Sequence, residues 1–213
     1  MLLEELRSLV LKVALDTDRF GLCRCTSGNV SARDPQTGLV CVTPSGIPYE
    51  RLDPGGITVV DVNSNLVDGQ FKPSSETPMH TAIYRARRDI HGIVHTHSVY
   101  ATTLCVINRD LPPITVPLAG IAPVPVVPWQ LPGSADLAHA VVRALGTDRR
   151  ALLLQNHGPI IAAETLPEAL NLAVYLEEGA QVAVLAMSCG TLNPIPDASV
   201  ATLRQILSGG KAV

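Results

Sequence analysis

Apolar residues at helical spacing open the chain. Between Leu2 and Val13 they recur every three or four positions with charged residues between them, which predicts an amphipathic helix ending near Gly21. A second pattern, short runs rich in β-branched and aliphatic residues between Pro and Gly, predicts strands. These runs cover residues 39–43, 57–62, 66–67, 90–96, 124–127, 151–155 and 160–163, the last two as a hairpin.

Longer periodic segments predict the remaining helices. Hydroxyl side chains stand before Pro78, which suits a first helical turn, so a helix is expected to begin within residues 74–78. Further helices are predicted over residues 100–107, 135–145 and 166–187. Residues 26–31, rich in Gly and Ser, are interpreted as a turn. Strands and helices do not alternate strictly and no Gly-rich fingerprint follows a first strand, which favours a layered α/β or α+β domain over a dinucleotide-binding fold.

Composition narrows the class of protein. The chain has 213 residues, 46% hydrophobic and 16% charged, which indicates a folded chain, and we expect a single domain over residues 1–213. Net charge is −3 with no basic block, so we expect neither a nucleic-acid partner nor an anionic membrane. The charged first helix does not resemble a signal peptide and no apolar run approaches the ~20 residues of a membrane span. We therefore expect a cytoplasmic protein whose cysteines are mostly buried, reduced thiols.

Three histidines and a glutamate form a candidate metal site. His95 and His97 are two apart in a run of β character, a spacing that directs both side chains to one face of a strand. His157 follows an apolar strand, and Glu76 stands at the start of the helix that leads into the first pair. Three imidazoles with an exchangeable fourth position are typical of catalytic zinc. Taken singly, each has a simpler interpretation, such as turn chemistry or, for Glu76, a favourable interaction with the helix dipole. His80, one turn after Glu76, could support the site from behind.

Five motifs occur in an order that resembles a known family. They are TSGNVS at residues 26–31, TPSGIP at 43–48, PSSE at 73–76, HTH at 95–97 and QNHG at 155–158. Together they resemble the class II aldolase/adducin family, and within it the chain is most similar to the L-fuculose-1-phosphate aldolase-like sugar-phosphate aldolases. The similarity runs from the first helix to about Met187.

The resemblance implies a fold, a metal and a substrate class. The fold would be a three-layer α/β/α arrangement around a central, mainly antiparallel sheet, in a homotetramer with active sites between subunits. Zinc would be held by the three histidines, although Mn²⁺ or Co²⁺ could occupy the same ligands. Glu76 would be the catalytic acid/base and would itself reach the metal when substrate is absent. The substrate phosphate would be bound by a set of small polar residues: Gly28, Asn29, Ser45, Gly46, Ser74 and Ser75.

One departure from the family pattern concerns the general acid. In the fuculose-type enzymes a loop tyrosine protonates the leaving aldehyde oxygen, and Val116 stands where that tyrosine is expected. Our leading hypothesis is retro-aldol cleavage of a ketose 1-phosphate to dihydroxyacetone phosphate and an aldehyde. A decarboxylase of an oxidised sugar phosphate and a sugar-phosphate 4-epimerase of the same family stay open. A non-catalytic, adducin-like binding module is the alternative from another class, and the retained histidines and Glu76 speak against it.

Overall fold

Eight strands form one sheet at the centre of the molecule. The computed structural model describes residues 1–207, and the strand order is β4-β3-β2-β1-β5-β8-β7-β6. All neighbouring strands are antiparallel except β6 and β7, which are parallel. The strands are β1 Asn29–Arg33, β2 Val40–Val42, β3 Thr58–Val60, β4 Leu66–Asp68, β5 Gly92–His95, β6 Val126–Val127, β7 Ala151–Leu154 and β8 Gly158–Ala163. The predicted, mainly antiparallel sheet is confirmed.

Helices cover both faces of this sheet. They are α1 Glu4–Arg19, α2 Thr77–Ala86, α3 Val99–Val106, α4 Ala135–Leu145, α5 Leu166–Cys189 and α6 Asp197–Leu207. The larger apolar core lies between one face and α1, α3 and α5. A second core lies between the opposite face and the pair formed by α2 and α4. The predicted three-layer α/β/α arrangement is therefore confirmed, whereas α6 was not predicted from the sequence.

Strand β1 is the main difference from the expected elements. Residues 29–31 were predicted to lie in a turn, but they begin a fully buried strand between β2 and β5. Val30 and Ala32 enter the larger core. Ser31 and Arg33 meet α2 instead: Ser31 Oγ lies 2.8 Å from Tyr84 Oη, and Arg33 donates to the Tyr84 carbonyl at 2.7 Å. Polar side chains of β1 thus form hydrogen bonds across a layer boundary.

Helix α5 is the longest element, with 24 residues. By length and composition alone it could cross a membrane, a criterion that core helices of soluble proteins also meet. This finding qualifies the expectation that no apolar segment approaches that length. One side of the helix, including Leu170, Leu176 and Ala180, belongs to the larger core and packs on β5, β8 and α3.

Strand register brings the predicted site residues to one end of the central strands. Asn29 of β1 is opposite His95 of β5, and His95 is opposite Ile160 of β8. The predicted hairpin of β7 and β8 is confirmed, and its turn carries His157. The ends of three adjacent strands, together with the start of α2, therefore meet at a single place.

Candidate active site

Glu76 and three histidines converge at that meeting point. Glu76 is the N-cap of α2, and His95 is the last residue of β5. His97 lies two residues beyond the strand, so the expectation that the strand continues to residue 96 is wrong, yet both rings still face one point. His157 occupies the hairpin turn. One ligand atom from each of the four residues lies within 4.8 Å of every other.

The four side chains approach each other through their ring Nε2 atoms and carboxylate oxygens. His95 Nε2 lies 3.2 Å from Nε2 of both His97 and His157. Glu76 Oε2 is 3.0 Å from His95 Nε2, and its Oε1 is 3.4 Å from His157 Nε2. The central atom of the cluster is therefore His95 Nε2, on a side chain with no solvent exposure.

The hydrogen bonding of His95 shows which atom is free to bind a cation. His95 Nδ1 lies 2.8 Å from the Pro159 carbonyl oxygen, which can only accept, so Nδ1 carries the proton. In the neutral ring Nε2 then presents a lone pair toward the lone pairs of the Glu76 carboxylate. Glu76 Oε1 is also buried and accepts no well-formed hydrogen bond from residues 1–207. A divalent cation bound between these atoms would satisfy them together, and a donor set of three imidazoles and a carboxylate fits zinc or a similar transition ion.

The ionisation of the cluster suits metal binding. Burial acts to raise the pKa of the Glu76 carboxyl, but the positive charge and hydrogen bonds that His95 and His157 supply when protonated outweigh burial and hold that pKa well below its usual range. Burial lowers the pKa of His97 to about 4, and positive charge on His95 or His157 acts in the same direction. At neutral pH Glu76 is therefore a carboxylate and His97 is a neutral imidazole, which are the forms that bind metal ions.

Two loops that carry the predicted phosphate-binding residues are joined by backbone hydrogen bonds. The amide of Ser45 donates to the Lys72 carbonyl at 2.9 Å, and the amide of Ser74 donates to the Thr43 carbonyl at 3.1 Å. Ser45 and Gly46 are exposed, and Gly46 has a positive φ of 70°. The two loops therefore form one polar surface next to the start of α2.

The serine pair precedes the helix rather than beginning it. Helix α2 starts at Thr77, whose amide donates to the Ser74 carbonyl at 3.0 Å. Ser74 Oγ accepts from the amide of Glu76 at 3.3 Å, while Ser75 is exposed. Both serines thus lie in the turn that directs Glu76 toward the histidines.

Gly28 and Asn29 complete this polar surface from the side of β1. Asn29 Nδ2 donates to Glu76 Oε2 at 3.0 Å, a bond that favours the ionised carboxylate. Gly28 has a φ of 77°, and a Cβ at this position would lie 2.7 Å from the His95 carbonyl oxygen and closer still to Cys23 Sγ. Only glycine allows the β1 entry to lie this close to the histidine strand.

His80 lies outside the cluster but directly behind it. The ring is fully buried on α2, and Nδ1 is 2.7 Å from Ser31 Oγ. Burial, and the nearby charge of His95, lower the pKa of His80 to about 3. Sequence analysis placed His80 on the helix of Glu76 but missed Ser31 and Tyr84. The signal was there: Glu76, His80 and Tyr84 are each four residues apart, a spacing that puts them on one face of a helix.

The position of the absent tyrosine is exposed. Val116 has 52% of its surface accessible and precedes a short 3₁₀ helix, Pro117–Gly120. Helix α6 packs on this segment, and Arg204 donates to the carbonyls of Ala119 and Ala122 at 3.3 and 2.6 Å. Val116 has no group that could transfer a proton.

Comparison with known proteins defines the family. Residues 8–184 match the model of the Class II Aldolase and Adducin N-terminal domain. The chain belongs to this family. Because the family is metal-dependent, the cluster of Glu76, His95, His97 and His157 is the part of this chain that could hold the metal.

Named relatives include aldolases and an epimerase. The chain is 33% identical over 210 residues to 5-deoxy-D-ribulose 1-phosphate aldolase of Bacillus thuringiensis serovar kurstaki, covering 98% of each chain. It is 31% identical over 208 residues to L-ribulose-5-phosphate 4-epimerase UlaF of Salmonella paratyphi B, covering 92% of this chain and 91% of the relative. Among solved structures, L-fuculose 1-phosphate aldolase superposes with a TM-score of 0.92 at 32% identity, covering 96% of each chain. The chain is therefore a metal-dependent lyase of this family by fold, motif and similarity.

Proposed function

We propose that the protein is a zinc-dependent aldolase that cleaves a ketose 1-phosphate to dihydroxyacetone phosphate and an aldehyde. The observation that carries this proposal is the convergence of three imidazole Nε2 atoms on the Glu76 carboxylate, beside two joined loops that carry Ser45, Gly46, Ser74 and Ser75. Two similar proteins are named as aldolases of sugar 1-phosphates, namely of 5-deoxy-D-ribulose and of L-fuculose. Different residues would bind the metal, transfer the proton and hold the phosphate.

His95, His97 and His157 would hold the metal, with Glu76 as a fourth ligand before substrate binds. A divalent cation in this position supplies Lewis-acid polarisation of the substrate ketone, which is worth several kcal/mol, or roughly 10³-fold in rate. His95 is oriented for this role by its bond to the Pro159 carbonyl. The neutral state of His97 at physiological pH keeps its ring available as a ligand.

Glu76 would carry the proton at the carbon beside the ketone. Its carboxylate is buried and ionised, the Asn29 amide holds Oε2, and both carboxylate oxygens face the histidines. A general base needs this combination of restricted solvent access and fixed direction. Release of the carboxylate from the cation when substrate binds would free it for proton transfer.

The two joined loops and the entry to β1 would bind the substrate phosphate. Ser45, Ser74 and Ser75 would supply hydroxyls, the amides of Gly46 and Ser75 would supply further donors, and Asn29 adjoins this surface through Glu76. Several neutral donors suffice for a phosphate dianion when backbone amides are among them. Binding at the phosphate end would place the ketone near the histidines.

The tyrosine expected to protonate the leaving aldehyde oxygen is replaced by Val116. Val116 cannot donate a proton, so we propose that the leaving oxygen is protonated by water or by a residue of a neighbouring subunit. We further propose that the protein is a cytoplasmic homotetramer with active sites between subunits. Light scattering on the purified protein measures the mass directly, and a monomer would contradict the shared site.

Metal analysis and a condensation assay test the proposed function. The purified protein should contain a stoichiometric divalent transition metal, and with dihydroxyacetone phosphate and a panel of aldehydes it should form ketose 1-phosphates. His95→Ala should lose both the metal and about 10³-fold or more of the activity. A protein without metal that still condenses the substrates, or a fully active His95→Ala variant, would refute the assignment.

The epimerase is the second candidate, because a relative at 31% identity carries that name. An epimerase breaks and remakes the same bond without releasing the aldehyde. Incubation with L-ribulose 5-phosphate therefore separates the two activities: inversion at C4 without free aldehyde identifies the epimerase. Loss of carbon dioxide from an oxidised sugar phosphate, with no condensation, identifies the decarboxylase.

A further inference from the structure

Helix α3 begins directly after His97, and its first turn is capped by a residue from another helix. Its N-cap residue, Ser98, makes no side-chain capping bond. Instead, the amides of Tyr100 and Ala101 donate to Oε1 and Oε2 of Glu177, each at 2.9 Å. Glu177 belongs to α5 and is half-buried. A carboxylate more distant in sequence thus replaces the side chain of the N-cap residue as the acceptor for these amides.

The His97 ring lacks the anchoring hydrogen bond that His95 makes through its Nδ1 atom. The His95 ring is anchored by the Pro159 carbonyl, whereas within residues 1–207 no protein group holds Nδ1 of His97. His97 is also exposed and lies outside the strand. The direction of its ring is therefore set by the backbone between the end of β5 and the start of α3.

That short stretch of backbone is held at both ends. On the strand side the amide of Thr96 donates to the Pro159 carbonyl at 3.2 Å, and a Cβ at Gly158 would overlap the Thr96 carbonyl oxygen. On the helix side the two amides bonded to Glu177 are the second and third of α3, the positions that an N-cap side chain normally binds. A charged acceptor at a helix N-terminus gains from both the hydrogen bonds and the helix dipole.

We propose that Glu177 is a positioning residue for the metal centre, acting through the first turn of α3 to aim His97. The inference rests on the proposed metal-dependent function. Glu177→Gln keeps the size of the side chain, but its amide group would face one of the two backbone amides, donor against donor. The turn then loses one bond and the negative charge, and His97 loses its fixed direction.

Cobalt binding by the full chain tests this role without relying on activity. Protein stripped of metal is titrated with Co²⁺ while its visible absorption is recorded, and thermal melts are measured in parallel. Glu177→Gln should bind Co²⁺ about 10-fold more weakly and change the absorption band, as expected when a group that orients a ligand is removed. The matched control is Glu178→Gln, an exposed neighbour on the same helix, which should match the wild type.

A double-mutant cycle shows whether the effect passes through His97. In a His97→Ala background, Glu177→Gln should weaken Co²⁺ binding no further, because the ligand that it aims is already gone. An equal loss in both backgrounds would overturn the inference, and so would a lower melting temperature with unchanged affinity and spectrum. If Glu177→Gln does not fold, Glu177→Asp keeps the charge with a shorter reach: weaker binding than the wild type supports the role, and equal binding refutes it. Failure of the wild type to bind Co²⁺ would overturn the proposed function itself, a separate result.

Discussion

The two faces of strand β1 are equally buried and chemically opposite. Val30 and Ala32 belong to the larger apolar core. Asn29, Ser31 and Arg33 point toward α2, and each forms hydrogen bonds there. Every residue of the strand has less than a tenth of its surface exposed. One face of this strand therefore supports the fold by exclusion of water, and the other by hydrogen bonds to α2 and its N-cap.

The polar face forms a ladder with α2. Asn29 and Ser31, two apart on the strand, meet Glu76 and His80, four apart on the helix, at 3.0 and 2.7 Å. Tyr84 continues the ladder, with Oη 2.8 Å from Ser31 Oγ. Hydrogen bonds in such a buried network depend on one another, because a group that loses its partner cannot bond to solvent instead. The carboxylate of Glu76, which we propose to be catalytic, is thus the last member of a structural hydrogen-bond network.

The largest effect on catalysis is expected from substitution of Glu76. Glu76→Gln should lower kcat by about 10²–10⁴-fold, the range for loss of a general acid or base, since an amide cannot exchange the proton. Metal content should be largely retained through the three histidines. Steady-state cleavage assays together with metal analysis measure both quantities on the same sample.

Glu164→Gln is the control for the change of charge, because Glu164 is exposed and lies beyond the end of β8 that is opposite to His157. It should leave kcat unchanged. Wild-type kcat in Glu76→Gln would show that the polar face of β1 ends in a purely structural carboxylate, and the contrast between the two faces would lose its functional meaning.

On the apolar face the expected effect is on stability alone. Val30→Ala should lower the free energy of unfolding by about 2 kcal/mol, from lost burial and the cavity left behind. Denaturant unfolding measures the loss, and kcat should stay within error of the wild type. Val67→Ala, on a half-exposed residue of β4, should cost far less. A drop in kcat for Val30→Ala would mean that the two faces are coupled through the strand.

The contrast between the faces also explains what sequence analysis could and could not predict. Continuous apolar runs identified strands such as β5 and β7, with ends that differ from those observed. Apolar periodicity identified helix α4 with its observed bounds. Strand β1 was interpreted as a turn because Asn29 and Ser31 are turn-type residues. Their partners on α2 are about 50 positions away, and no local pattern reveals them.

The candidate site divides in the same way. Glu76, His95, His97 and His157 were predicted together, and the structure brings their ligand atoms together. Residue type and motif order sufficed there, since few other functions need that donor set. The role of Glu177 could not be predicted, because a glutamate on the polar side of a long helix is the usual surface pattern. Only the packing of α5 on α3 distinguishes it.

The smallest expected effect is that of His80 on the pH dependence of stability. Burial lowers the pKa of His80 to about 3 in the folded protein, whereas the unfolded chain has the ordinary value near 6.5. Between these two pH values the unfolded state binds a proton that the native state does not, so stability falls as pH is lowered through this window. The contribution of one group is at most about 1.4 kcal/mol per pH unit. Above about pH 7 both states carry a neutral ring and the contribution vanishes.

His80→Asn removes the titrating ring while an amide can still bond to Ser31 Oγ. Urea unfolding at pH 7, 6 and 5 should therefore show a shallower loss of stability for this variant than for the wild type, although it starts from a lower value at pH 7. The exposed His139 on α4 offers the matched control, and His139→Asn should leave the slope unchanged. Equal slopes for His80→Asn and the wild type would mean that the ring takes up its proton in the native state. The polar face of β1 would then tolerate a buried charge, and its difference from the apolar face would lie in solvation rather than in matched hydrogen bonds.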